Sequence, residues 1–222
     1  NNLTHELKTP ISSIGLSAQV LSDEKILDQP ARLFEYVRII NEQSTRLAKN
    51  VEKVLNLAAL EKNKLQLVHE QIPLKEFTEK TVARFRQSEL GQKARISVSA
   101  TACSGTVWAD PFHLGNVLQN ILENAVKYCK TSPVIGISLM QKRHSIQLAI
   151  KDNGIGIPPA ARRKIFNKFY RVPTGNIHDV KGFGLGLDYV SRIIKAHRWK
   201  IRVDENPEGG SIFVLTIPVA HE

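Results

Sequence analysis

The sequence contains only two cysteines, and Cys103 and Cys129 show neither metal-ligand spacing nor the pattern of a disulfide framework. It has no apolar run near the length of a membrane span, no signal peptide, no internal repeat and no low-complexity segment. It also lacks the signatures of a zinc finger, a basic zipper and an RNA-recognition domain. Two buried thiols in a reducing cytosol are therefore the simplest interpretation of the cysteines.

The composition is that of an ordinary globular protein, with 42% hydrophobic and 23% charged residues in a chain of 222 residues. This length is enough for one or two domains with a real core. The net charge of +10 is uneven, because residues 1–65 carry a net charge of +1 and residues 66–222 carry +9. The second part should attract polyanions such as nucleic acid or a nucleoside triphosphate. Since the chain does not begin with Met, we expect it to be a fragment.

The first 65 residues are predicted to form two helices. Asp28 and Pro30 are typical of a helix start, so the first helix should end at about residue 27. Mostly apolar residues recur every three or four positions in both helices. They are Leu3, Leu7, Ile11, Ile14, Ala18 and Leu21 in the first helix, and Leu33, Val37, Ile40, Ser44, Leu47, Val51, Val54 and Ala58 in the second. One hairpin cannot bury both stripes, so we expect an antiparallel hairpin that dimerises through residues 1–65 into a four-helix bundle. Packing of the hairpin on the second domain is the alternative.

From about residue 66 the pattern changes to short alternating stretches with helices between them. The alternation predicts strands at 96–98, 135–139, 146–150 and 212–217, and helices at about 75–90, 111–129 and 184–197. Such an order predicts an α/β sandwich with a mixed, mostly antiparallel sheet. The predicted fold class is therefore α + α/β, with domains at 1–65 and 66–222.

A seven-residue run that extends from His5 to Ile11 places reactive groups on the first helix. At about 100° per residue, His5 lies about 200° from its neighbours in the apolar seam and therefore points away from it. Thr9 follows one turn later and shares the face of His5. The run thus sets an imidazole nucleophile beside the carboxylate of Glu6 and near a hydroxyl. Alternatively, Thr9 only bonds a carbonyl of its own helix.

The predicted helix at 111–129 places Asn120 and Asn124 four residues apart, opposite an apolar face. Their carboxamide oxygens suit a hard cation such as Mg²⁺. Lys127 adds a positive charge for a phosphate, and Tyr128 offers a flat face for a base. A solvated helix face is the alternative interpretation of the two asparagines.

The run Asp152-Asn153-Gly154-Ile155-Gly156 comes directly after a predicted strand. A carboxylate at the strand end can accept a hydrogen bond from an exocyclic amine such as that of adenine. Gly154 and Gly156 allow a close approach of the backbone. A tight turn alone would also explain the two glycines.

Two further motifs follow along the chain. The aromatic run from Ile165 to Arg171 could anchor a mobile loop, and Arg171 could fork onto phosphate oxygens. The run Gly182-Phe183-Gly184-Leu185-Gly186-Leu187 precedes a predicted helix, so its backbone N–H groups predict a phosphate site. It is neither a Walker A loop nor a dinucleotide fingerprint. Residues 158–181 would form a lid over the phosphates.

Taken in order, the His5 run, the asparagine helix, the Asp152 motif, the aromatic motif and the last glycine motif resemble the transmitter region of bacterial two-component sensor histidine kinases. The resemblance covers essentially the whole chain. It implies a dimerisation and phosphoacceptor hairpin followed by a catalytic ATP-binding domain of the gyrase/Hsp90/histidine-kinase/MutL type. Arg198 and Trp199 depart from the family, in which many members have Gly-Gly. We expect this departure to affect packing only.

The resemblance implies that ATP phosphorylates His5 and that the phosphoryl group passes to an aspartate of a response-regulator receiver domain. In that scheme Glu6 and Thr9 act beside His5, and the spacing of Thr9 resembles the family's motif for dephosphorylating the regulator. Asn120 and Asn124 would bracket Mg²⁺. The residues that bind ATP would be Asn120, Asn124, Lys127, Tyr128, Asp152, Gly154, Gly156, Arg171, Gly182, Gly184, Leu185, Gly186 and Leu187.

The resemblance also sets expectations about partners and place in the cell. We expect a homodimer, no nucleic-acid partner, and a cytoplasmic fragment whose parent is an inner-membrane sensor held by segments absent from this chain. A non-catalytic scaffold would lack a motif residue, and none is missing. A gyrase- or MutL-like ATPase acting on DNA would carry a carboxylate at the position of Asn120, and both Asn120 and the His5 hairpin argue against it.

Overall fold

The computed structural model describes residues 2–26, 28–61, 66–101, 104–172 and 184–220; within these ranges the side chains of residues 2–6, 25, 49–50, 52–61 and 101 are not described. The chain divides into two compact units. The first consists mainly of residues 1–65, and the second of residues 66–180 and 186–222. Among the helices of the described part, none combines the length and the apolar character needed to cross a membrane.

The first unit is a helical hairpin. Helix α1 (Asn2–Leu21) leads through a short 3-10 turn (Glu24–Ile26) to α2 (Pro30–Glu61), and the two helices pack against each other. Helix α1 ends at Leu21, earlier than predicted, and both the N–H and the hydroxyl of Ser22 donate to the Ala18 carbonyl oxygen, at 3.1 Å and 2.9 Å. Helix α2 begins at Pro30, where the fixed φ of proline and its missing N–H suit a first turn.

In its described residues, the second unit combines three α-helices and several short 3-10 turns with two sheets. Its elements are β1 (Glu70–Pro73), α3 (Leu74–Arg86), β2 (Arg95–Thr101), β3 (Thr106–Ala109), α4 (Pro111–Lys127), β4 (Val134–Gln141), β5 (Ser145–Asp152), α5 (Gly186–Ala196), β6 (Lys200–Glu205) and β7 (Ser211–Pro218). Strands β1 and β3 form a small antiparallel pair. The larger sheet has the order β2-β4-β5-β7-β6, in which only β2 and β4 run parallel. The predicted mixed, mostly antiparallel sheet is confirmed.

The core of the second unit lies on one face of the larger sheet. In β5 the buried side chains alternate with half-buried ones, as a strand with one covered face requires. The apolar face of α4 is buried, and α4 packs against both α5 and β5. The predicted fold class, a helical hairpin followed by an α/β sandwich, is therefore confirmed.

The departure at Arg198 and Trp199 shapes the end of α5. The N–H of Trp199 donates to the Ile194 carbonyl oxygen at 2.8 Å, and Arg198 adopts a φ of 58°. This is a helix C-terminus of the Schellman type, in which the residue with positive φ is usually glycine. Trp199 is buried, and its ring centroid lies 4.3 Å from that of His197.

Candidate functional site

The carboxylate of Asp152 lies at the end of β5 on the buried face of the sheet. The alternation of the strand brings it there, since Ile146, Leu148 and Ile150 precede it on the same face. Only 7% of Asp152 is exposed. Its Oδ1 accepts hydrogen bonds from the N–H groups of Gly154 at 2.8 Å and Ser211 at 3.1 Å. Within the described part of the chain, Oδ2 accepts none.

The protonation of Asp152 reflects two opposing influences. Burial raises the pKa of its carboxyl group, and the two backbone hydrogen bonds lower it only in part, so the pKa stays above the usual value of 3.8. One oxygen is therefore held by the fold, and the other remains as a fixed acceptor for a ligand. An exocyclic amine is the partner that such an acceptor suits.

The glycines after β5 are required by close contacts with the rest of the unit. A Cβ on Gly154 would lie 2.9 Å from the Tyr128 carbonyl oxygen, and the same oxygen accepts the Ile155 N–H at 3.0 Å. Gly156 has a φ of 73°, which glycine adopts without strain. The loop is thus joined to the residue that follows α4, and the partly exposed ring of Tyr128 stands beside it.

Asn120 and Asn124 lie one turn apart on α4, and both are half-buried. The amide of Asn120 is oriented by its Nδ2, which donates to the Asn116 carbonyl oxygen at 2.8 Å. A Cβ on Gly186 would lie 2.6 Å from Asn120 Oδ1. Glycine at the first position of α5 therefore leaves room for an oxygen that faces it. Asn120 and Gly186 are thus neighbours in the structure, although they belong to two separate motifs whose proximity could not be predicted from the sequence.

The predicted phosphate-binding residues differ in their surroundings. Lys127 Nζ lies 2.7 Å from Glu123 Oε2 in a half-buried ion pair, so its charge is shared with a carboxylate of the same helix. Gly184, with a φ of 67°, and the buried Leu185 precede Gly186 and the half-buried Leu187 at the start of α5. The predicted Gly182 lies outside the described residues, as does the predicted lid beyond residue 172.

Arg171 lies near the end of the described aromatic segment and is half-buried. Just before it, Phe169 is 46% exposed and has a φ of 62°, an uncommon value for a residue with a side chain. The Nζ of Lys168 lies 5.1 Å from the centroid of the Phe169 ring. The aromatic motif therefore presents an exposed ring and basic groups, rather than an entirely buried anchor.

The reactive residues of the first unit lie on α1. His5 and Glu6 are helical, but their side chains lie outside the described residues. Thr9 lies one turn after His5 and is exposed, whereas the neighbouring Pro10 is buried within the helix.

Sequence reasoning missed the turn between β6 and β7, which contacts Asp152. Gly210 has a φ of 99°, and a Cβ there would collide with the carbonyl oxygen of Asp152. The adjacent glycines Gly209 and Gly210 before an alternating strand were the available signal for a tight turn. Cysteine burial was also predicted too broadly, because Cys129 is partly exposed and its Sγ lies 3.4 Å from Asn153 Oδ1.

Within the second unit, α4 joins the parts of the candidate site. Its successive turns present Asn120, Asn124 and Lys127, and Tyr128 follows directly. Gly186 meets the helix at Asn120, and the loop after Asp152 meets it at Tyr128. Helix α4 thus carries the amide oxygens of Asn120 and Asn124 and is contacted by the start of α5 and by the loop that follows Asp152. This arrangement of oxygen ligands, backbone N–H groups and a carboxylate acceptor suits a metal-bound nucleotide.

Comparisons with known proteins match both units. The model described as "Histidine kinase-, DNA gyrase B-, and HSP90-like ATPase" matches residues 109–221, and that of the "His Kinase A (phospho-acceptor) domain" matches residues 1–63. The sensor protein RprX of Bacteroides fragilis is 37% identical over 222 residues, which are 99% of this chain and 43% of that protein. The chain therefore spans less than half the length of this relative.

Solved structures show the same architecture. The Acinetobacter baumannii histidine kinase AdeS has a TM-score of 0.72 and 26% identity, and the match covers 98% of both chains. The histidine kinase ThkA, solved in complex with the response regulator protein TrrA, has a TM-score of 0.69 and 24% identity over 98% of this chain and 60% of its own. The resemblance predicted from the five motifs is confirmed.

Proposed function

Because the chain belongs to the family of histidine kinase-, DNA gyrase B- and HSP90-like ATPases, we propose that it acts as an ATP-dependent protein-histidine kinase in two-component signalling. The γ-phosphoryl group of ATP is transferred to His5 and then to an aspartate of a response-regulator receiver domain. We assign residues 1–65 to dimerisation and phosphoacceptance and residues 66–222 to ATP binding and catalysis.

The observation that carries the nucleotide assignment is the carboxylate of Asp152, in which backbone N–H groups bond one oxygen and leave the other for a ligand. Its Oδ1 is held by two backbone N–H groups, and its Oδ2 accepts a hydrogen bond from the 6-amino group of adenine. Gly154 and Gly156 let the loop pack closely against the Tyr128 and Gly210 carbonyl oxygens, and this packing holds the loop beside the carboxylate that meets the base. The exposed face of Tyr128 packs on the nucleotide.

Mg²⁺ fits the residues along α4. Asn120 Oδ1 faces the space that glycine leaves at position 186, and Asn124 follows one turn later. Neutral amide oxygens bind a hard cation and leave its charge available for the triphosphate. When bound, the ion offsets charge on the phosphates during transfer. Asn120 and Asn124 would hold it.

The remaining residues of the site neutralise and enclose the triphosphate. Arg171 and Lys127 supply positive charge, and Lys127 exchanges its carboxylate partner Glu123 for a phosphate. The backbone donors that we propose for the phosphates are Gly182, Gly184, Leu185, Gly186 and Leu187. Among these donors, the described residues 184–187 precede or begin α5, and a helix N-terminus favours an anion.

Transfer of the γ-phosphoryl group depends more on an in-line nucleophile than on covalent catalysis by the protein. A neutral ring nitrogen of His5 attacks the γ-phosphorus, and the bond between that phosphorus and the β–γ bridging oxygen breaks, releasing ADP. Glu6 takes the proton from the other ring nitrogen or fixes its tautomer. Asn120 is a carboxamide and a poor base, so activation of water is weak and hydrolysis of ATP is slow.

Exposed apolar residues on the hairpin support dimerisation through the first unit. Ile11 is 55% exposed, Leu16 65% and Phe34 71%, and Val37 and Val51 are exposed as well. A second copy of the hairpin would cover these side chains in a four-helix bundle. The parent protein would be an inner-membrane sensor with this part in the cytoplasm.

The receiver domain and its dephosphorylation complete the proposal. ThkA binds the response regulator TrrA, and we extend a partner of that class to this chain. Thr9, exposed one turn after His5, positions a water beside the phosphoaspartate of the regulator.

Labelling with ATP tests the proposed kinase directly. The parent chain, incubated with γ-labelled ATP and Mg²⁺, should acquire a label that is lost in acid and kept in base, as a phosphohistidine requires. His5→Gln should abolish the label and leave ATP affinity unchanged. The matched control is His144→Gln, which removes an exposed histidine from the second unit. Labelling of the His5 variant, or an acid-stable label on a hydroxyl, would refute the proposal.

A further inference from the structure

Asn206 is a buried carboxamide between β6 and β7 that forms a hydrogen bond with the backbone of Asp152. It is 3% exposed. Its Nδ2 donates to the Asp152 carbonyl oxygen at 2.8 Å and to the Gly209 carbonyl oxygen at 2.6 Å, while its Oδ1 accepts the Glu208 N–H at 3.1 Å. Both amide hydrogens and the amide oxygen are thus used, a combination that only a carboxamide of this size provides here.

The turn that contains Asn206 makes hydrogen bonds to both the backbone and the side chain of Asp152. One end is the Asp152 carbonyl oxygen, which receives Asn206 Nδ2. The other end is the carboxylate, whose Oδ1 receives the Ser211 N–H at 3.1 Å. Gly210 passes so close to the Asp152 carbonyl that a Cβ would not fit, and its φ of 99° allows the chain to turn there. Residues 206–211 therefore hold both the backbone and the side chain of Asp152.

We propose that Asn206 is a positioning residue for recognition of the nucleotide base, and that it selects nucleotides with a 6-aminopurine. It acts through Asp152: by holding the carbonyl and the turn that reaches Oδ1, it sets the direction in which Oδ2 meets the exocyclic amine. This inference rests on the proposed function, because it assumes that Asp152 accepts from the base.

A purely structural role would have a different consequence. If Asn206 only stabilised the turn, its loss would weaken every nucleotide to the same extent. If Asn206 instead orients Oδ2 of Asp152, its loss would weaken the binding of nucleotides that have the 6-amino group and leave the binding of those without it nearly unchanged. The ratio of the two affinities therefore separates the roles.

The experiment measures binding of ATP and of purine riboside triphosphate, which lacks the 6-amino group, to the full chain. The parent should prefer ATP by about tenfold or more, as expected for a hydrogen bond to a charged acceptor. Asn206→Asp keeps the size and the acceptor but removes both donated hydrogen bonds. Its preference for ATP should fall by about tenfold, with less than about a threefold change for purine riboside triphosphate.

The matched control is Glu208→Gln in the same turn. It breaks the exposed ion pair of Glu208 Oε2 with Lys151 Nζ at 2.8 Å and leaves the bonds of Asn206 intact, so the preference for ATP should stay at the parent value. Equal weakening of both nucleotides by Asn206→Asp, or an unchanged preference, overturns the inference alone. A parent without preference for ATP overturns base recognition by Asp152 as well. Should the aspartate variant not fold by circular dichroism, Asn206→Ser takes its place, with the same criteria.

Discussion

At the scale of single residues, Asp152 is subject to opposing requirements of folding and binding. Its pKa lies above the usual value because burial disfavours the charged form. Above the pKa that it has in the folded state, ionisation therefore lowers the free energy of unfolding relative to a neutral side chain. The same charge strengthens a hydrogen bond to a base. The charge of Asp152 is thus expected to strengthen nucleotide binding while it lowers the stability of the folded protein.

Replacement of Asp152 by Asn should separate these two effects. The amide oxygen can still accept from Gly154 and Ser211, but an NH₂ group then faces the adenine amine, donor against donor. ATP affinity should fall by roughly 1.5–3 kcal/mol. The melting temperature of the nucleotide-free protein should stay equal or rise. Calorimetric titration and thermal melting measure the two. Unchanged affinity would remove Asp152 from the site, and a lower melting temperature would contradict the role of its charge.

Gly186 offers a second test at this scale. In Gly186→Ala the new Cβ would lie 2.6 Å from Asn120 Oδ1, so the carboxamide must move away from the proposed metal position. Autophosphorylation should fall by at least about tenfold and require more Mg²⁺, whereas the free energy of unfolding should change little, because the lower backbone entropy of alanine in the unfolded chain offsets part of the cost of moving the carboxamide.

The matched control for this change is Gly115→Ala on α4. A Cβ there would meet only Phe77 Cζ at 3.7 Å, an ordinary contact, so activity should be retained. Labelling rates across a Mg²⁺ titration compare the two variants. Equal activity in both would show that the space at Gly186 is not needed for Asn120.

At the scale of elements, the start of α4, the end of α5 and the segment before β1 are joined by one polar cluster. Asp110 caps α4 through its Oδ1, which accepts the His113 N–H at 3.0 Å, and its Oδ2 accepts the Val68 N–H at 2.9 Å. Burial raises the pKa of Asp110, but these hydrogen bonds outweigh it and hold the pKa below 3.8. His197 Nε2 accepts the Asp110 N–H at 3.0 Å.

The cluster requires a neutral His197. Its Nδ1 bonds the Ile193 carbonyl oxygen at 2.9 Å, so the ring donates there and accepts at Nε2. Burial lowers its pKa below 6.5. The unfolded chain therefore takes up a proton first as the pH falls, and the free energy of unfolding should decrease from about pH 6.5 down to the pKa of the folded state. Above that range this contribution is constant.

Urea unfolding of the parent and of His197→Gln at pH 7.5, 6.5 and 5.5 measures this dependence. The variant should lose less stability on acidification. The groups that face the ring, His69, Asp110 and His113, are present in both proteins, so the difference between the two curves reports His197 together with its coupling to them, while the distant Asp152 contributes equally to both. Parallel curves for parent and variant would contradict the role of His197.

At the scale of the whole molecule, the two units differ in charge and in the groups that they carry. Residues 1–65 have a net charge of +1 and contain His5, whereas residues 66–222 have a net charge of +9 and contain the candidate nucleotide site. The second unit also has its own buried core of sheet and helices. Nucleotide binding and phosphoryl acceptance should therefore be separable on different pieces of the chain.

A fragment of residues 66–222 should bind ATP as tightly as the full chain, because every proposed base and metal contact lies within it. It should acquire no acid-labile label from γ-labelled ATP. Addition of a fragment of residues 1–65 should restore slow labelling on that fragment, whereas the same fragment with His5→Gln should not. Titration and labelling check both statements. Label on residues 66–222 would place the phosphoacceptor elsewhere.

Features that depend on local spacing along the chain could be predicted from the sequence. Alternation at 135–139, 146–150 and 212–217 predicted three central strands, because the period of two places every second side chain on one covered face. The short edge strand β6 was missed, although its buried Val203 follows a weak alternation, and so were β1 and β3 at four residues each. Strands of this length bury too few side chains to leave a clear pattern.

Tertiary packing, in contrast, determines which distant residues share the site. The motifs named Asp152, but its support from Asn206 and Ser211 comes from more than 50 positions away, through a turn between two other strands. Likewise, Asn120 and Gly186 belong to separate motifs, and packing of α5 against α4 sets the space between them. Spacing along the chain specifies which groups one helix or strand can present together. Hydrogen bonds and close contacts between elements depend on the packing of the sheet and helices, which no local pattern encodes.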